Sequence, residues 1–172
     1  MKVSKSVSSR GMSKLFFTSV LMTFLVCMFS LQSFAQNCNS KMVVSHDRDL
    51  QSAIVSQPAK FQMELTNNSA TTQTYTMEYV NSAKTFTYEG KAPSRLSANN
   101  NLNTTISYNG SVVNSISVPP HSTVSFHAIV SIPEGTPINK WGVIELKAKN
   151  SKCSEGTLSS LLKVLSRDPS EN

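Results

Sequence analysis

Alternation of apolar and polar residues is clearest in the stretch from Val118 to Ala148. Its first half places an apolar residue at every second position: Val124, Phe126, Ala128, Val130 and Ile132. In its second half, Ile144, Leu146 and Ala148 alternate with charged residues. A period of two is typical of a β-strand that has one face on a core and the other in water. The stretch therefore predicts two half-buried strands.

The same period recurs on either side of this stretch. A short apolar strand is predicted at 41–44 and a longer one at 158–165. Between them, two more strands are predicted by alternating sets of apolar residues, which are Phe61, Met63 and Leu65, then Tyr75, Met77 and Tyr79. Short strands at such spacing, separated by turn residues, indicate a β-sandwich. We expect an all-β, antiparallel sandwich of about seven or eight strands.

A tight hairpin is predicted at Asn109-Gly110, between two strand-like runs. Both central residues of a two-residue type I′ turn need a positive φ, which Asn and Gly tolerate best. Downstream, the apolar face changes register between Val113 and Ile116. We therefore expect a β-bulge or a strand that switches partners at that point.

Residues 1–35 have the pattern of a secretory signal peptide. Four basic residues precede an apolar run from Leu15 to Leu31, and Ser33-Phe34-Ala35 supplies the small residues that a signal peptidase reads. Cleavage would leave Gln36 as the first mature residue. The alternative is a retained anchor, but the apolar run is only marginally long enough and contains several hydroxyl residues. Lipidation at Cys27 is disfavoured because the bulky Val26 precedes it.

Cleavage would change the charge balance. Of the 16 basic residues, four belong to the signal, so 12 basic residues face 10 acidic ones in the mature part. Such a nearly neutral chain gives no electrostatic case for nucleic-acid binding. We expect one domain, 36–166, followed by a polar tail, 167–172, and no membrane contact after cleavage.

Two cysteines, Cys38 and Cys153, remain after cleavage. An even pair in an exported chain most simply forms a disulfide, with two free thiols as the alternative. Neither cysteine has a second Cys or a His at ligand spacing, so we expect no metal site and no cofactor.

Catalytic patterns are weak. Ser45-His46-Asp47 contains the three residue types of a hydrolase triad, but triad members converge from separate segments, and neighbouring strand residues point to opposite faces. We expect an exposed strand end there. No paired carboxylates or phosphate-binding loop stand out. The sequence therefore predicts no catalytic residue and no enzyme.

The irregular stretch from Ser82 to Asn103 is the longest in the chain. It contains a possible short strand at Phe86 and Tyr88 and a polar run of asparagines. A loop of this length is functional or mobile, and we expect mobility. If the protein binds a ligand through a loop, the sequence points to Tyr88, Lys91 and Arg95.

Three motifs carry a resemblance to a known type of domain: the run ending in Val118-Pro119-Pro120, the turn Ile-Pro-Glu-Gly-Thr-Pro at 132–137, and the strand Trp-Gly-Val-Ile-Glu-Leu-Lys-Ala at 141–148. Together they resemble immunoglobulin-like and fibronectin-type-III-like domains of secreted bacterial proteins. The resemblance covers about thirty residues and implies a fold, with Trp141 packed in the core at one end of the sandwich. Cys38 precedes the first strand, unlike the cysteines of antibody domains.

Together these observations predict a secreted, non-catalytic binding module, periplasmic or extracellular, with a protein or glycan partner at the cell surface. The oligomeric state is open. One alternative is an envelope accessory or chaperone-like protein that offers an exposed edge strand. Another is a small secreted hydrolase, which would need a serine, a histidine and an acid brought together from separate loops.

Overall fold

The computed structural model describes residues 37–82 and 101–170, together with the backbone of 86–88 and 91–95. The predicted signal peptide, its cleavage between Ala35 and Gln36 and the alternative anchor lie outside the described residues and stay predictions. Within the described part, no helix is long and apolar enough to cross a membrane.

Twelve strands and one 3₁₀ turn, Ser45–Asp47, make up the described part of the chain. In chain order the strands are β1 (Lys41–Val44), β2 (Leu50–Ala53), β3 (Ala59–Asn67), β4 (Gln73–Ser82), β5 (Phe86–Tyr88), β6 (Lys91–Arg95), β7 (Asn103–Tyr108), β8 (Ser111–Val112), β9 (Ser115–Val118), β10 (Ser122–Ser131), β11 (Lys140–Lys149) and β12 (Thr157–Ser166).

Ten of these strands form two five-stranded sheets. Sheet I has the order β1-β3-β10-β7-β8, and sheet II the order β2-β12-β11-β4-β9, while β5 and β6 form a separate hairpin. Four strands of sheet I and three of sheet II follow the ABED and GFC orders of an immunoglobulin-type sandwich. The predicted fold class is confirmed by this order.

The strand count and the uniform antiparallel pairing were wrong in detail. Two chain segments change sheets: β1 lies in sheet I and β2 in sheet II, and likewise β8 and β9 lie in different sheets. The second switch splits one expected strand into two, whereas β2, which follows the first switch, was not expected. β2 also runs parallel to β12, with Leu50 opposite Lys163. The predicted change of partners between Val113 and Ile116 is confirmed by the second switch.

The core forms where the two alternating strands of the Val118–Ala148 stretch face each other from opposite sheets. β10 contributes Phe126, Ala128 and Val130, and β11 contributes Ile144 and Leu146, all fully or almost fully buried. Burial of such side chains is the main favourable term in folding.

Two aromatic residues are less buried than predicted, Tyr79 from the alternation of β4 and Trp141 from the resemblance. Tyr79 shares the inward face of β4 with Tyr75 and Met77, yet it is 40% exposed. β9 pairs with β4 only as far as Thr76, so no described strand of sheet II lies beside Tyr79 on that side. Trp141 is half-buried and lies on the face of β11 opposite to Ile144, outside the core that the described residues form. The expected packing of Trp141 in the core is therefore wrong.

The predicted hairpin at Asn109-Gly110 is confirmed. Tyr108 lies opposite Ser111, and the two residues between them have φ angles of 50° and 80°. The chain then passes through β8 and turns into β9 of the other sheet.

A buried hydrogen-bond network closes one end of the sandwich. The Asn67 amide donates to the carbonyl oxygens of Thr71, Val118 and Pro119 at 2.9–3.0 Å, and its oxygen accepts from the backbone and hydroxyl of Ser69. Asn67 is completely buried. One side chain thus joins the β3–β4 turn to the end of β9, and its polar atoms are satisfied without water.

Candidate functional site

The disulfide stands at this same end of the molecule. Cys38 and Cys153 are joined across a sequence separation of 115 residues, which confirms the predicted bond. It ties the segment before β1 to the β11–β12 turn. Together with Glu155, these cysteines are the one cluster of metal-ligand residues in the described part of the chain, but the two sulfur atoms are bonded to each other.

Glu155 reinforces the attachment of the segment before β1. Its carboxylate accepts hydrogen bonds from the backbone N–H groups of Ser40, at 2.9 Å, and Cys38, at 3.3 Å. Partial burial opposes ionisation, but hydrogen bonds from the backbone of Glu155, Ser40 and Cys38 and from the Ser154 hydroxyl outweigh it and lower the pKa of this carboxyl. The segment that leads into β1 is thus held by a covalent bond and by a charged acceptor.

Beyond β1 the chain crosses from sheet I to sheet II. The 3₁₀ turn makes the crossing with His46 and Asp47 at φ angles of 57° and 53°, a left-handed conformation that few non-glycine residues adopt. The chain then enters β2, which pairs only with Lys163–Ser166 of β12. Along the other half of β12, toward the disulfide, no described strand of sheet II occupies the position that β2 takes beside Lys163–Ser166.

Two hydrogen bonds along β12 show which of its backbone groups point toward the position of β2. Lys163 N donates to Asp49 O at 2.7 Å and Arg167 N donates to Ala53 O at 2.9 Å. Because backbone direction alternates along a strand, the N–H and C=O groups of Ser159 and Leu161 point to the same side. No other described group forms a hydrogen bond with these backbone groups. They constitute an open sheet edge.

A surface cavity of about 380 Å³ lies beside this edge. We call it the edge groove, and its lining residues come from β1, from the crossing and from β12: Met42, Val43, Val44, Asp47, Asp49, Ser160, Leu161 and Lys163. One wall is therefore the edge strand of sheet I and the other is the open half of β12. An extended chain segment placed in the groove would lie in line with β2, in the vacant position next to β12.

Charges mark one end of the edge groove. Lys163 Nζ lies 2.7 Å from Asp49 Oδ2, and the lysine side chain is only 18% exposed. Asp47 is exposed at the same end. The β1 wall is apolar, with Met42 and Val44 almost fully buried and Val43 half-buried. The groove thus combines an apolar wall, open backbone groups and a charged end, which is what a site for an extended peptide requires.

The residues proposed from the long irregular stretch are not part of this groove's described lining. Tyr88, Lys91 and Arg95 lie on the β5–β6 hairpin, where Tyr88 is opposite Lys91 and Arg95 is opposite Phe86. The short strand expected at Phe86 and Tyr88 is confirmed. The side chains of the three candidate residues lie outside the described residues, so their role in binding stays a prediction.

Ser45 and His46 do make contact. The Ser45 hydroxyl lies 2.8 Å from His46 Nδ1, but these residues are adjacent in the chain and Ser45 is buried. No carboxylate in the described part of the chain forms a hydrogen bond with His46. The segment was expected to be an exposed strand end; it is instead the turn by which the chain changes sheets, with a buried first residue.

Sequence reasoning missed the edge groove because its edge depends on which strands pair. The only local sign was the adjacent pair Leu161-Leu162, which breaks the alternation of β12. Leu162 is buried in the core and Leu161 is half-buried at the groove.

No protein-family model matches this chain, and no curated protein does. Among solved structures, it is similar to a FixG-related protein from Vibrio parahaemolyticus, with a TM-score of 0.49 and 11% identity over 75% of this chain and 97% of that one. It is also similar to the periplasmic chaperone SfaE, with a TM-score of 0.42 and 13% identity, and to the E. coli chaperone DraB, with a TM-score of 0.45 and 9% identity.

The match to SfaE covers 76% of this chain and the match to DraB covers 81%, but the chain spans only 57% and 59% of those two proteins. At these identities and TM-scores the likenesses carry no inference about activity or partners.

Proposed function

We propose that this chain is an exported, non-catalytic binding module that takes up an extended segment of a partner protein in the edge groove. The segment would add a strand to sheet II beside the open half of β12. Such strand addition gains affinity from backbone hydrogen bonds and specificity from alternate side chains. The role is that of an accessory or chaperone-like envelope protein.

The observation that carries the proposal is the direction of the backbone groups of Ser159 and Leu161, which face the groove without a partner. An edge strand with open N–H and C=O groups is a template for another chain. The neighbouring β1 wall supplies apolar contacts for every second side chain of an added strand.

Export is supported by the predicted leader and by the Cys38–Cys153 disulfide. Disulfides form and persist in oxidising compartments such as the periplasm and the extracellular space. The contact between Ser45 and His46 joins adjacent residues and is therefore not the convergence of separate segments that a hydrolase triad needs.

The test begins with peptides selected from a random peptide library against the exported protein. For a selected peptide, amide hydrogen exchange should show new protection at Ser159 and Leu161. Only every second N–H group of the bound peptide faces β12. Methylation of the backbone nitrogens that face β12 should therefore abolish binding, and methylation of the intervening nitrogens should leave it unchanged.

Two variants of β12 complete the design. Leu161→Lys, in the groove, should weaken peptide binding by about tenfold or more, since it removes apolar contact and brings a charge to the edge. Leu165 lies on the same face of β12 as Leu161 but beside β2. Leu165→Lys is therefore the matched control and should leave affinity unchanged. Failure to select any binder, or binding that protects neither Ser159 nor Leu161, would refute the proposal.

A further inference from the structure

The opposite lateral edge of the sandwich differs in charge from the edge groove. Residues 96–133 contain no Asp, Glu, Lys or Arg. This stretch forms β7, β8, β9 and β10, so both edge strands on that side, β8 and β9, are free of charge. The edge groove, in contrast, carries Asp47, Asp49 and Lys163. Charged side chains are one of the devices that protect natural sheet edges, and this edge has none.

β9 presents open backbone groups at the edge of sheet II. Met77 N donates to Asn114 O at 2.8 Å, and Tyr75 lies opposite Ile116. By alternation, the backbone groups of Ile116 face β4, whereas those of Ser115 and Ser117 face outward. No hydrogen bond joins these outward groups to any other described residue.

The side chains support this assignment. Ser117 Oγ lies 2.8 Å from Thr74 Oγ1, as expected for directly opposite residues in a pair that does not exchange backbone hydrogen bonds. Ser115 and Ser117 are exposed, while Ile116 is buried in the core. On the adjoining β8, Val112 is 72% exposed. The edge is therefore uncharged, accessible and partly apolar.

We infer that β9 is a self-association edge, at which a second copy of this chain adds its own β9 in antiparallel orientation. The two-fold axis would pass between the two Ile116 residues, placing Ser115 of one copy opposite Ser117 of the other. Each such pair exchanges two backbone hydrogen bonds. Two copies of the five-stranded sheet II would become one continuous sheet.

A second copy fits better than a charged partner because a two-fold contact brings identical surfaces together. Charges of one sign at positions 115 and 117 would face each other across the axis, and like charges directly opposite are destabilising. The stretch that forms this edge contains none. Pro119-Pro120 ends the strand at one side, and the turn at Asn114 ends it at the other, so the pairing register has few alternatives. The inference does not depend on the edge groove.

The test is sedimentation equilibrium of the exported protein over a concentration series that reaches the millimolar range. We expect a monomer–dimer equilibrium. The double variant Ser115→Lys with Ser117→Lys places two lysines opposite two lysines and should weaken the dimer by about tenfold or more. The variant Ser115→Lys with Ser117→Glu pairs opposite charges across the axis and should restore it.

The matched control adds the same two charges elsewhere, as Gln62→Lys with Ser125→Lys on the exposed face of sheet I, and should leave the dimer unchanged. Circular dichroism of each variant verifies folding. A monomer at every concentration would overturn the inference. A dimer insensitive to the double lysine variant, or one that the lysine–glutamate variant fails to restore, would overturn it as well.

Discussion

The side-chain amide of Gln51 binds the backbone of Lys60 as a neighbouring strand would. Its Nε2 donates to Lys60 O at 2.8 Å, and Lys60 N donates to its Oε1 at 3.1 Å. β1 pairs with β3 only as far as Met63, so Lys60 lies on a part of β3 that β1 has left. One side chain from sheet II thus satisfies the edge that the strand switch opens in sheet I.

Replacement of Gln51 by alanine should expose this edge. Because both hydrogen bonds are solvent-exposed, water can replace them, and we expect a loss of only about 0.5–1.5 kcal/mol in the free energy of unfolding. The sharper effect should be faster amide exchange at Lys60. Gln57→Ala, at an exposed position in the turn before β3, is the control. Unchanged exchange at Lys60 in Gln51→Ala would contradict this account.

A similar contact closes the opposite lateral side. The Asn81 amide donates to Leu102 O at 2.9 Å and accepts from Leu102 N at 3.1 Å, while Leu102 is buried. Both sides of the sandwich therefore use an amide side chain where a strand is missing. Neither contact was predictable from the sequence, because each joins residues whose proximity depends on the sheet order.

The sequence predicted what depends on local patterns. The Asn109-Gly110 turn needs only two residues that tolerate positive φ, and the core faces of β10 and β11 need only a period of two. β2 was missed because Leu50–Ala53 is short and does not alternate. The edge groove was missed for a related reason. An edge is a property of the sheet order, and no single strand reveals which neighbour it lacks.

Removal of the disulfide should be the most damaging change to stability. In the chain-entropy model, a bond that closes a loop of about this length stabilises by about 4–5 kcal/mol. We expect Cys38→Ser with Cys153→Ser to lose about that much free energy of unfolding, measured by urea denaturation. The reduced wild-type protein should unfold at the midpoint of the double variant. Identical midpoints with and without reductant would contradict the prediction.

Intact mass of the exported protein tests the same bond together with the leader. A chain that begins at Gln36, with both cysteines alkylated only after reduction, is the expected result. A mass that retains residues 1–35, or two thiols that alkylate without reduction, would contradict the assignment to an oxidising compartment.

Asn67 should be the most sensitive polar residue of the fold. Asn67→Ala leaves the Pro119 carbonyl oxygen without its donor and the buried Ser69 N–H without its acceptor, at the closed end of the sandwich. Each unsatisfied buried group costs about 1–3 kcal/mol, so we expect a loss of about 2–4 kcal/mol in thermal or chemical denaturation. Asn68→Ala is the matched control, because the Asn68 amide makes one exposed hydrogen bond, to Asn39 O. Equal losses in the two variants would contradict the role of the network.

Glu155 should make stability depend on pH at the end of the molecule that the disulfide closes. Its pKa in the folded protein is lowered from 4.5, so the ionised carboxylate stabilises the fold at every pH above the unfolded-state value. That contribution is lost as pH falls through the lowered folded-state pKa. We therefore expect Glu155→Gln to be less stable than the wild type at neutral pH.

The difference in unfolding free energy between the wild type and Glu155→Gln should stay constant above about pH 5 and shrink as the pH falls below 4.5. Urea denaturation at a series of pH values measures it. Glu134→Gln, an exposed carboxyl in the β10–β11 loop, is the control and should not differ from the wild type in this way. If the difference grew toward acid pH, ionisation of Glu155 would destabilise the folded state. The hydrogen bonds that Ser40 and Cys38 donate to this carboxylate could not then be what holds the segment before β1.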